Sequence, residues 1–375
     1  MTARDFDTLD SLMGKRIVVK VGSGVLSGGG EGLDGATLRR LAGEIAKARA
    51  AGDEIVLVSS GAILAGRERL KLEKRPSVQL KQAAAAVGQS RLMRAWEAAF
   101  ARPKITVAQV LLSGDDLHHR ERYLNARNTL LTLLRLGVVP IVNENDTVAV
   151  EEIKFGDNDG LSALVAGLVD ANLLVLLTDQ DGLYLDDPRV NPEAALISEV
   201  LPGAQPARIG KAGPWGTGGM ESKVRAARQA AEGGVLAVIA NGTKMGTLTA
   251  VLAGKGLGTR FLPEDKPLAK RRQWLAFASQ PKGRIDVDAG AREALTNKAR
   301  SLLASGVKGL ARAFEPGDVV SLVENGVEFA RGLTNFSSRD LEKIKGLKTS
   351  QIEAVLGHKP ADEVVHRDNL AVLKK

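Results

Sequence analysis

The sequence predicts an α/β protein in which a largely parallel open sheet is sandwiched by helices, followed by a small β-rich domain. Three observations lead to this prediction. Apolar runs typical of strands alternate with helix-like segments over residues 17–240. Nearly every strand-like run ends in Gly, Ser, Thr, Asp or Asn, so polar loops gather at one edge of the sheet. After residue 272 the predicted elements become shorter and mixed.

The elements of the first part follow from the spacing of apolar residues. Predicted strands lie at residues 17–21, 55–58, 105–112, 138–142, 173–177 and 235–240. Predicted helices lie at residues 36–51, 78–101, 120–136, 161–169 and 219–233. The glycines and prolines of residues 255–272 interrupt this pattern and indicate a linker.

The last part of the chain has its own pattern. Strands are predicted at 283–287, 319–323 and 327–331, with an Asn325-Gly326 hairpin turn before the last, and helices at 289–304 and 340–344. We therefore divide the chain into a first domain of residues 1–260, a linker of 261–282, a β-rich domain of 283–361 and a tail of 362–375.

Composition narrows the class of protein. The 375 residues include no cysteine, which excludes disulfides and thiolate metal sites and fits a reducing cytoplasm. The four histidines lack metal-ligand spacing beyond one adjacent pair. No run reaches the roughly 18 apolar residues of a membrane span, and the acidic N-terminus does not resemble a signal peptide.

The net charge is +8, and residues 266–375 hold most of it, with 20 basic and 13 acidic side chains.

Residues 143–161 are the first candidate for a functional site. Two clusters of amides and carboxylates, residues 143–146 and 157–159, lie between a predicted strand and a predicted helix. Polar groups after a strand of an open α/β sheet lie where such sheets bind ligands. Asn and Asp together can bind both an ammonium and a carboxylate. A solvated loop followed by a helix cap is the alternative interpretation.

Two lysines lie beside glycine-rich loops. Lys20 lies inside a predicted strand, just before Gly22-Ser23-Gly24, and Lys223 lies about one turn into the helix to which the glycine-rich residues 216–219 lead. Glycines let the backbone approach a phosphate, and a helix N-terminus favours an anion. An edge-strand lysine and a flexible connector are the alternatives. Taken together, the two lysines, two loops and acidic amide cluster favour phosphoryl transfer, which depends on positioning and positive charge.

At this point the sequence resembles the glutamate 5-kinase family, amino acid kinases with a C-terminal PUA domain. The matching strings lie in family order over residues 17–240: VVKVGSGVL, SSGAILAGR, AAVGQSRLM, RERYLNARNTL, PIVNEND, EEIKFGDNDGLSA, LLTDQDGLY and GTGGMESK. The tail over residues 283–357 resembles the PUA domain more loosely. The resemblance implies ATP-dependent phosphorylation of the L-glutamate side chain to glutamyl 5-phosphate, which feeds proline synthesis in the cytoplasm.

The same resemblance implies the roles of individual residues. Lys20 and Lys223 would stabilise charge on the transferred phosphoryl group, and Asp159 would orient them, with Asp157 as the alternative orienting residue. The residues expected to bind glutamate are Ser60, Asp146 and Asn158, with Asp157 nearby. The residues expected to bind ATP are Lys20, Thr178, Asp179, Thr217, Gly218, Gly219, Met220, Glu221, Ser222 and Lys223. The resemblance also implies a requirement for Mg²⁺ with no assigned protein ligand, inhibition by proline, and a homodimer or homotetramer.

Two rival functions stay open at this stage. Acetylglutamate, aspartate and uridylate kinases would share the fold and the lysines, although SSGAILAGR and the PUA-like tail favour glutamate. RNA binding is the second rival, because PUA domains elsewhere bind structured RNA and the basic surplus lies in the tail. That tail has few aromatic side chains for base stacking.

Overall fold

The chain forms two compact units, Met1–Pro267 and Leu268–Lys375. The computed structural model describes residues 14–72, 77–148, 158–186, 188, 190–204, 219–264 and 274–373. No helix in this part of the chain is long and apolar enough to cross a membrane.

The first unit contains an eight-stranded sheet in the order β3-β4-β2-β1-β5-β7-β8-β6. Its strands are β1 (Arg16–Val21), β2 (Glu54–Ser59), β3 (Val107–Leu112), β4 (Val139–Glu144), β5 (Leu173–Thr178), β6 (Glu199–Val200), β7 (Leu236–Asn241) and β8 (Thr259–Phe261). All neighbours run parallel except β7 and β8. The predicted fold class, a largely parallel sheet between helices, is confirmed.

Helices cover this sheet. They are α1 (Ser23–Leu26), α2 (Gly35–Ala50), α3 (Ala62–Leu70), α4 (Val78–Ala101), α5 (Gly114–His118), α6 (Arg120–Arg135), α7 (Asn158–Leu168), α8 (Met220–Glu232) and α9 (Thr247–Leu252). The central strands β1 and β5 are buried along almost their whole length, as continuous apolar runs in a parallel sheet require. One face of the sheet packs with α2 and α4 into a core that contains Trp96 and Phe100.

The structure corrects several predicted elements of this unit. Strand β3 begins at Val107 rather than residue 105. Strand β8 lies inside the segment 255–272 that was predicted to be a linker, and Phe261 pairs with β7, so the sheet extends beyond residue 260. Strand β6 and helices α3 and α9 were not predicted, because elements of two to nine residues carry little periodic signal.

The second unit has a five-stranded sheet in the order β10-β9-β11-β12-β13. Its elements are β9 (Gly283–Val287), α10 (Ala289–Asn297), β10 (Val307–Ala311), β11 (Val319–Glu324), β12 (Val327–Leu333), α11 (Ser338–Ile344), α12 (Ile352–Leu356) and β13 (Leu370–Val372). The predicted hairpin turn is present, since Asn325 and Gly326 both have positive φ, at 50° and 79°. The unit has its own apolar core.

Three predictions about the second unit were wrong. The helix expected over 289–304 ends at Asn297, because Ala299 takes a left-handed conformation with φ 48°. Residues 362–375 are not a separate tail, since β13 pairs with β12. Helical residues Trp274–Ala278 lie in the expected linker but belong to this unit, where Arg331 donates to the carbonyl oxygens of Ala276 and Ser279 at 3.4 and 2.9 Å.

Candidate active site

Polar side chains gather at the carboxyl ends of the parallel strands. Lys20 is the penultimate residue of β1, and the strand ends of β4 and β5 carry Asn143 and Thr178. Ser60 directly follows β2, and its backbone N–H donates to the carbonyl oxygen of Val21 at 3.1 Å. Helices α7 and α8 begin at the same edge. This edge is where open α/β sheets bind ligands.

Two lysines from distant parts of the chain meet on one carboxylate. The ammonium of Lys20 pairs with Oδ1 of Asp159, and that of Lys223 lies 3.1 Å from Oδ2 of the same residue. The hydroxyl of Ser222 donates to Oδ2 at 2.7 Å. All four residues are buried: Asp159 has 0% of its surface exposed, Lys20 4% and Lys223 7%. The structure therefore brings together the three residues that were predicted to be catalytic.

Asp159 is ionised because the lysines outweigh its burial. Burial alone would raise the pKa of Asp159, but the positive charges of Lys20 and Lys223 lower it, and the hydrogen bond from Ser222 adds to their effect. The resulting pKa is about 2. Two positive charges thus share one negative charge. The net excess of one positive charge in a buried site suits an anionic ligand.

A glycine leaves room beside the Lys20 ammonium. A Cβ on Gly22 would lie 3.7 Å from Nζ of Lys20 and 3.5 Å from the carbonyl oxygen of Leu177. A Cβ on Gly24 would lie 3.7 Å from Oδ2 of Asp179. Side chains at these positions would project toward the charged groups, so the glycine loop keeps the space next to them open.

Beside the lysines lies a chain of amide side chains. Nδ2 of Asn158 donates to Oγ of Ser60 at 3.0 Å and to Oδ1 of Asn143 at 2.9 Å. Nδ2 of Asn143 donates to Oε1 of Gln89 on α4 at 2.8 Å. The backbone N–H of Glu144 donates to Oδ1 of Asn143 at 2.9 Å and to Oδ1 of Asn158 at 3.3 Å. Two of the residues predicted to bind glutamate, Ser60 and Asn158, are thereby joined.

Close helix packing places Gln89 against this chain. Helices α3 and α4 touch at glycines, and a Cβ on Gly88 would lie only 1.8 Å from the carbonyl oxygen of Ala62. Further along α4, the indole N–H of Trp96 donates to Oγ of Ser59 at 2.9 Å. Helix α4 therefore packs against the first residue of α3 just before Gln89 and is bonded to the end of β2 beyond it.

The ends of β5 and β7 form a third group. The hydroxyl of Thr178 donates to Oδ1 of Asp179 at 3.1 Å. Oδ1 of Asp181 accepts from Asn241 at 2.9 Å and pairs with Lys244 at 2.6 Å. The hydrogen bond from Lys244, followed by that from Asn241, lowers the pKa of Asp181. Thr178 and Asp179, both predicted to bind ATP, are thus adjacent at the strand end.

The remaining predicted residues differ in where they lie. Gly219 precedes α8, its carbonyl oxygen accepts from the Ser222 hydroxyl at 2.9 Å, and Met220 and Glu221 open the helix. Asp146 lies half-buried in the turn after β4. Asp157, Thr217 and Gly218 lie outside the described residues.

Sequence reasoning missed some members of the site. Asn143 was recognised only as part of a polar cluster, and Gln89 only as a letter in the string AAVGQSRLM. Ser222 was predicted to bind ATP, whereas its hydroxyl here contacts Asp159. For Gln89, the available signal was an amide on an otherwise Ala- and Gly-rich helix face.

The described residues do not form a ready metal site. Within these ranges no group of three or more His, Asp or Glu side chains could hold a metal ion. Both oxygens of Asp159 are engaged by ammonium or hydroxyl groups. A Mg²⁺ ion that binds mainly through phosphate oxygens of a nucleotide would need few protein ligands.

Comparison with known proteins agrees with this geometry. Residues 15–241 match the model of the amino acid kinase family, and residues 283–356 match that of the PUA domain. The chain is 50% identical to "Glutamate 5-kinase" of Citrifermentans bemidjiense over 96% of this chain and 98% of that protein. Proteins of the same name from Geobacter sulfurreducens and Burkholderia ambifaria are 49% and 50% identical over the same shares. The chain therefore belongs to the glutamate 5-kinase family, within the amino acid kinases.

Proposed function

We propose that this chain transfers the γ-phosphoryl group of ATP to the side-chain carboxylate of L-glutamate, giving ADP and glutamyl 5-phosphate for proline synthesis. The relatives named above carry this activity in their names, at about half identity over nearly the whole chain. The observation that supports the chemistry most directly is the meeting of Lys20 and Lys223 on Asp159. We further propose that the reaction takes place in the cytoplasm, where ATP is supplied.

The reaction needs positive charge more than it needs a base. The attacking carboxylate has an ordinary pKa of about 4.3, so it is already ionised near neutral pH. The difficulty is the approach of one anion to a polyanion. In our proposal a carboxylate oxygen attacks the γ-phosphorus as the bond to the bridging oxygen of ADP breaks. Lys20 and Lys223 stabilise the charge on the transferred group.

Asp159 has the role of an orienting group in this proposal. Its carboxylate holds both ammonium groups and cannot serve as a base with a pKa of about 2. We assign glutamate to Ser60, Asp146, Asn158 and Asp157. We assign ATP to Thr178, Asp179 and residues 217–223, of which 220–223 open α8. The anion preference of a helix N-terminus supports the second assignment.

We propose that Mg²⁺ enters with the nucleotide. The engaged oxygens of Asp159 argue against a metal held there by the protein alone. When bound, Mg²⁺ would neutralise phosphate charge. The lysines of this chain would act on the same phosphates independently.

A hydroxamate assay tests the proposal. Purified protein, ATP, Mg²⁺ and hydroxylamine are mixed with glutamate, N-acetylglutamate or aspartate, and the acyl phosphate is trapped as a coloured hydroxamate. UMP is tested separately by ADP release. We expect a product that depends on glutamate and on ATP. Turnover with another acceptor and none with glutamate would refute the proposal and favour one of the rival kinases.

Lysine variants test the mechanism separately. We expect Lys20→Ala and Lys223→Ala each to lower kcat by about a hundredfold, because each would stabilise charge in the transition state. Lys47→Ala is a matched control, since it removes an exposed ammonium from the last turn of α2, outside the site. Near-normal kcat in either lysine variant would remove that residue from the catalytic group.

Two further properties belong to this proposal. We propose proline as an inhibitor, because it shares the α-carboxylate and the cationic nitrogen of glutamate, and adding it to the hydroxamate assay tests this. We also propose a homodimer or homotetramer, to be tested by light scattering of the full-length protein. A monomeric mass at assay concentration would contradict the second point.

RNA binding by the second unit is a second candidate function. One observation favours it: a cavity of about 590 Å³ lies beside α10, and its lining includes Arg300, His366 and Arg367. Ala299, with its strained left-handed φ, also lines this cavity. A gel shift of the full-length protein with structured RNA at moderate salt tests it. We expect the double variant Arg300→Ala with Arg367→Ala to bind RNA more weakly than the wild type. Failure of the wild type to bind structured RNA would refute this second candidate function.

A further inference from the structure

The amide chain at the substrate end of the site has a fixed order of donors and acceptors. The backbone N–H of Glu144 can only donate, so the Asn143 atom 2.9 Å away must be the oxygen. The nitrogen of Asn143 then faces Gln89, and the Gln89 atom that contacts it must be an oxygen. One main-chain group thus determines the orientation of both amides.

The same logic determines how Asn158 is presented. Oδ1 of Asn143 accepts one of its N–H groups, and Oγ of Ser60 accepts the other. Both amide hydrogens of Asn158 are therefore used within the protein. Among the described residues, its oxygen accepts only a long hydrogen bond, 3.3 Å, from the backbone N–H of Glu144, which leaves acceptor capacity for a ligand. The Ser60 oxygen accepts from Asn158, and its own hydrogen has no acceptor within the described residues, so the hydroxyl can donate to a ligand.

In this arrangement one polar atom of Gln89 is left without a hydrogen bond. Its nitrogen Nε2 is buried and has no hydrogen-bond partner in the described part of the chain. Rotating the Gln89 amide by 180° would bring its nitrogen to the nitrogen of Asn143, and both are donors. Nε2 of Gln89 therefore cannot be satisfied by exchanging places with Oε1. An unsatisfied buried donor is uncommon and calls for a functional reason. The reason here is the oxygen that Gln89 offers to Asn143, a residue with only 2% of its surface exposed.

We propose that Gln89 is a positioning residue that makes the site specific for a free α-ammonium group. Acting through Asn143, it keeps the Asn158 oxygen turned toward the ligand, where that oxygen and the Asp146 carboxylate accept from the ammonium of the substrate. The Ser60 hydroxyl donates to the α-carboxylate. This inference rests on the proposed function for the identity of the ligand, and it adds the residue that sets the polarity of the site.

Binding of two ligands by two variants tests the inference. Dissociation constants of glutamate and of glutarate, which lacks the amino group, are measured by calorimetry for the wild type and for Gln89→Met. We expect glutamate to bind about tenfold more weakly to the variant, the effect of about one hydrogen bond. Glutarate affinity should change less than about twofold, because glutarate has no ammonium group and therefore makes no hydrogen bond that the variant could weaken. The matched control Gln79→Met makes the same change at an exposed position of α4 and should alter neither constant.

A double variant separates positioning from general damage. If Gln89 acts only through Asn143, then Gln89→Met should weaken glutamate binding no further in an Asn143→Ala background. Equal losses for glutamate and glutarate, unchanged glutamate affinity, or additive losses in the double variant would overturn the inference. If Gln89→Met does not fold, the milder Gln89→Glu, which keeps an oxygen toward Asn143, replaces it and should retain the preference for glutamate over glutarate. Loss of that preference would also overturn the inference.

Wild-type turnover with glutamate tests the proposed function separately, because it does not depend on these binding constants.

Discussion

Neutralising Asp159 should destabilise the first unit and disable its site. Asn in its place resembles the protonated carboxyl group in shape and charge. The pKa of Asp159 is lowered from 3.8 to about 2, so the folded environment stabilises its ionised form, relative to the protonated form, by about 2 kcal/mol more than water does. Asp159→Asn also leaves two buried ammonium groups without their counter-ion, and breaking a buried ion pair costs about 3–5 kcal/mol. We expect a loss of about 2–5 kcal/mol in the free energy of unfolding.

Urea unfolding, followed by the fluorescence of buried Trp96, measures that loss. Anions should compensate part of it, because the two lysines of the variant lack their carboxylate. We therefore expect ATP to stabilise Asp159→Asn more than it stabilises the wild type at equal concentration. Turnover should fall by at least about a hundredfold, since both lysines lose their orienting partner.

Asp170→Asn is the matched control. It neutralises a partly exposed carboxylate paired with Arg127 just after the same helix, at a left-handed position (φ 55°) that Asn tolerates well. We expect a loss below about 1 kcal/mol and normal turnover. An Asp159→Asn variant that is as stable as this control, or that gains no extra stability from ATP, would refute the reasoning about the shared carboxylate.

Three more outcomes follow from the structure. Asp146→Ala should raise the KM for glutamate far more than that for ATP, and equal changes would contradict its assignment to the substrate. Gly88→Ala should cost about 3 kcal/mol in urea unfolding because its Cβ would lie 1.8 Å from the Ala62 carbonyl oxygen, whereas Gly43→Ala, with nothing within 4 Å, should be neutral or stabilising. Because the folded pKa of Asp159 lies below its ordinary value, the stability it contributes is complete above about pH 4 and is lost as the pH falls toward about 2. The difference in unfolding free energy between wild type and Asp159→Asn should therefore shrink across that window, and a constant difference would argue against the depressed pKa.

The parallel sheet could be predicted from the sequence because its strands are continuous apolar runs. β1, β2, β4 and β5 are buried on both faces, and such burial leaves a clear signature. Strands β6 and β8, with two and three residues, lie at one end of the sheet and have no such signature. The end of α10 was also missed, since Ala299 is not a residue that signals a left-handed conformation.

The lysine cluster and the amide chain differ in how far they could be predicted. Lys20 and Lys223 each stand beside glycines, and that pattern is local. The contact between Gln89 and Asn143 joins residues from a helix and a strand that are 54 positions apart. It depends on the approach of α3 to α4 at Gly66 and Gly88, a tertiary distance that periodicity does not encode. Reasoning from spacing alone therefore finds the lysines and the two polar clusters but misses Gln89, which contacts one of those clusters only in the folded protein.

The strand order has a consequence for synthesis on the ribosome. β1 lies between β2 and β5, and β5 is made about 150 residues after β1. The ribosome adds about 5–20 residues per second, so one edge of β1 stays unpaired for roughly 8–30 seconds until β5 has been made. During that interval one edge of this apolar strand is unpaired and can pair with a wrong strand. Chains that stop before Leu173 should therefore aggregate or stay bound to chaperones rather than accumulate as a smaller folded unit.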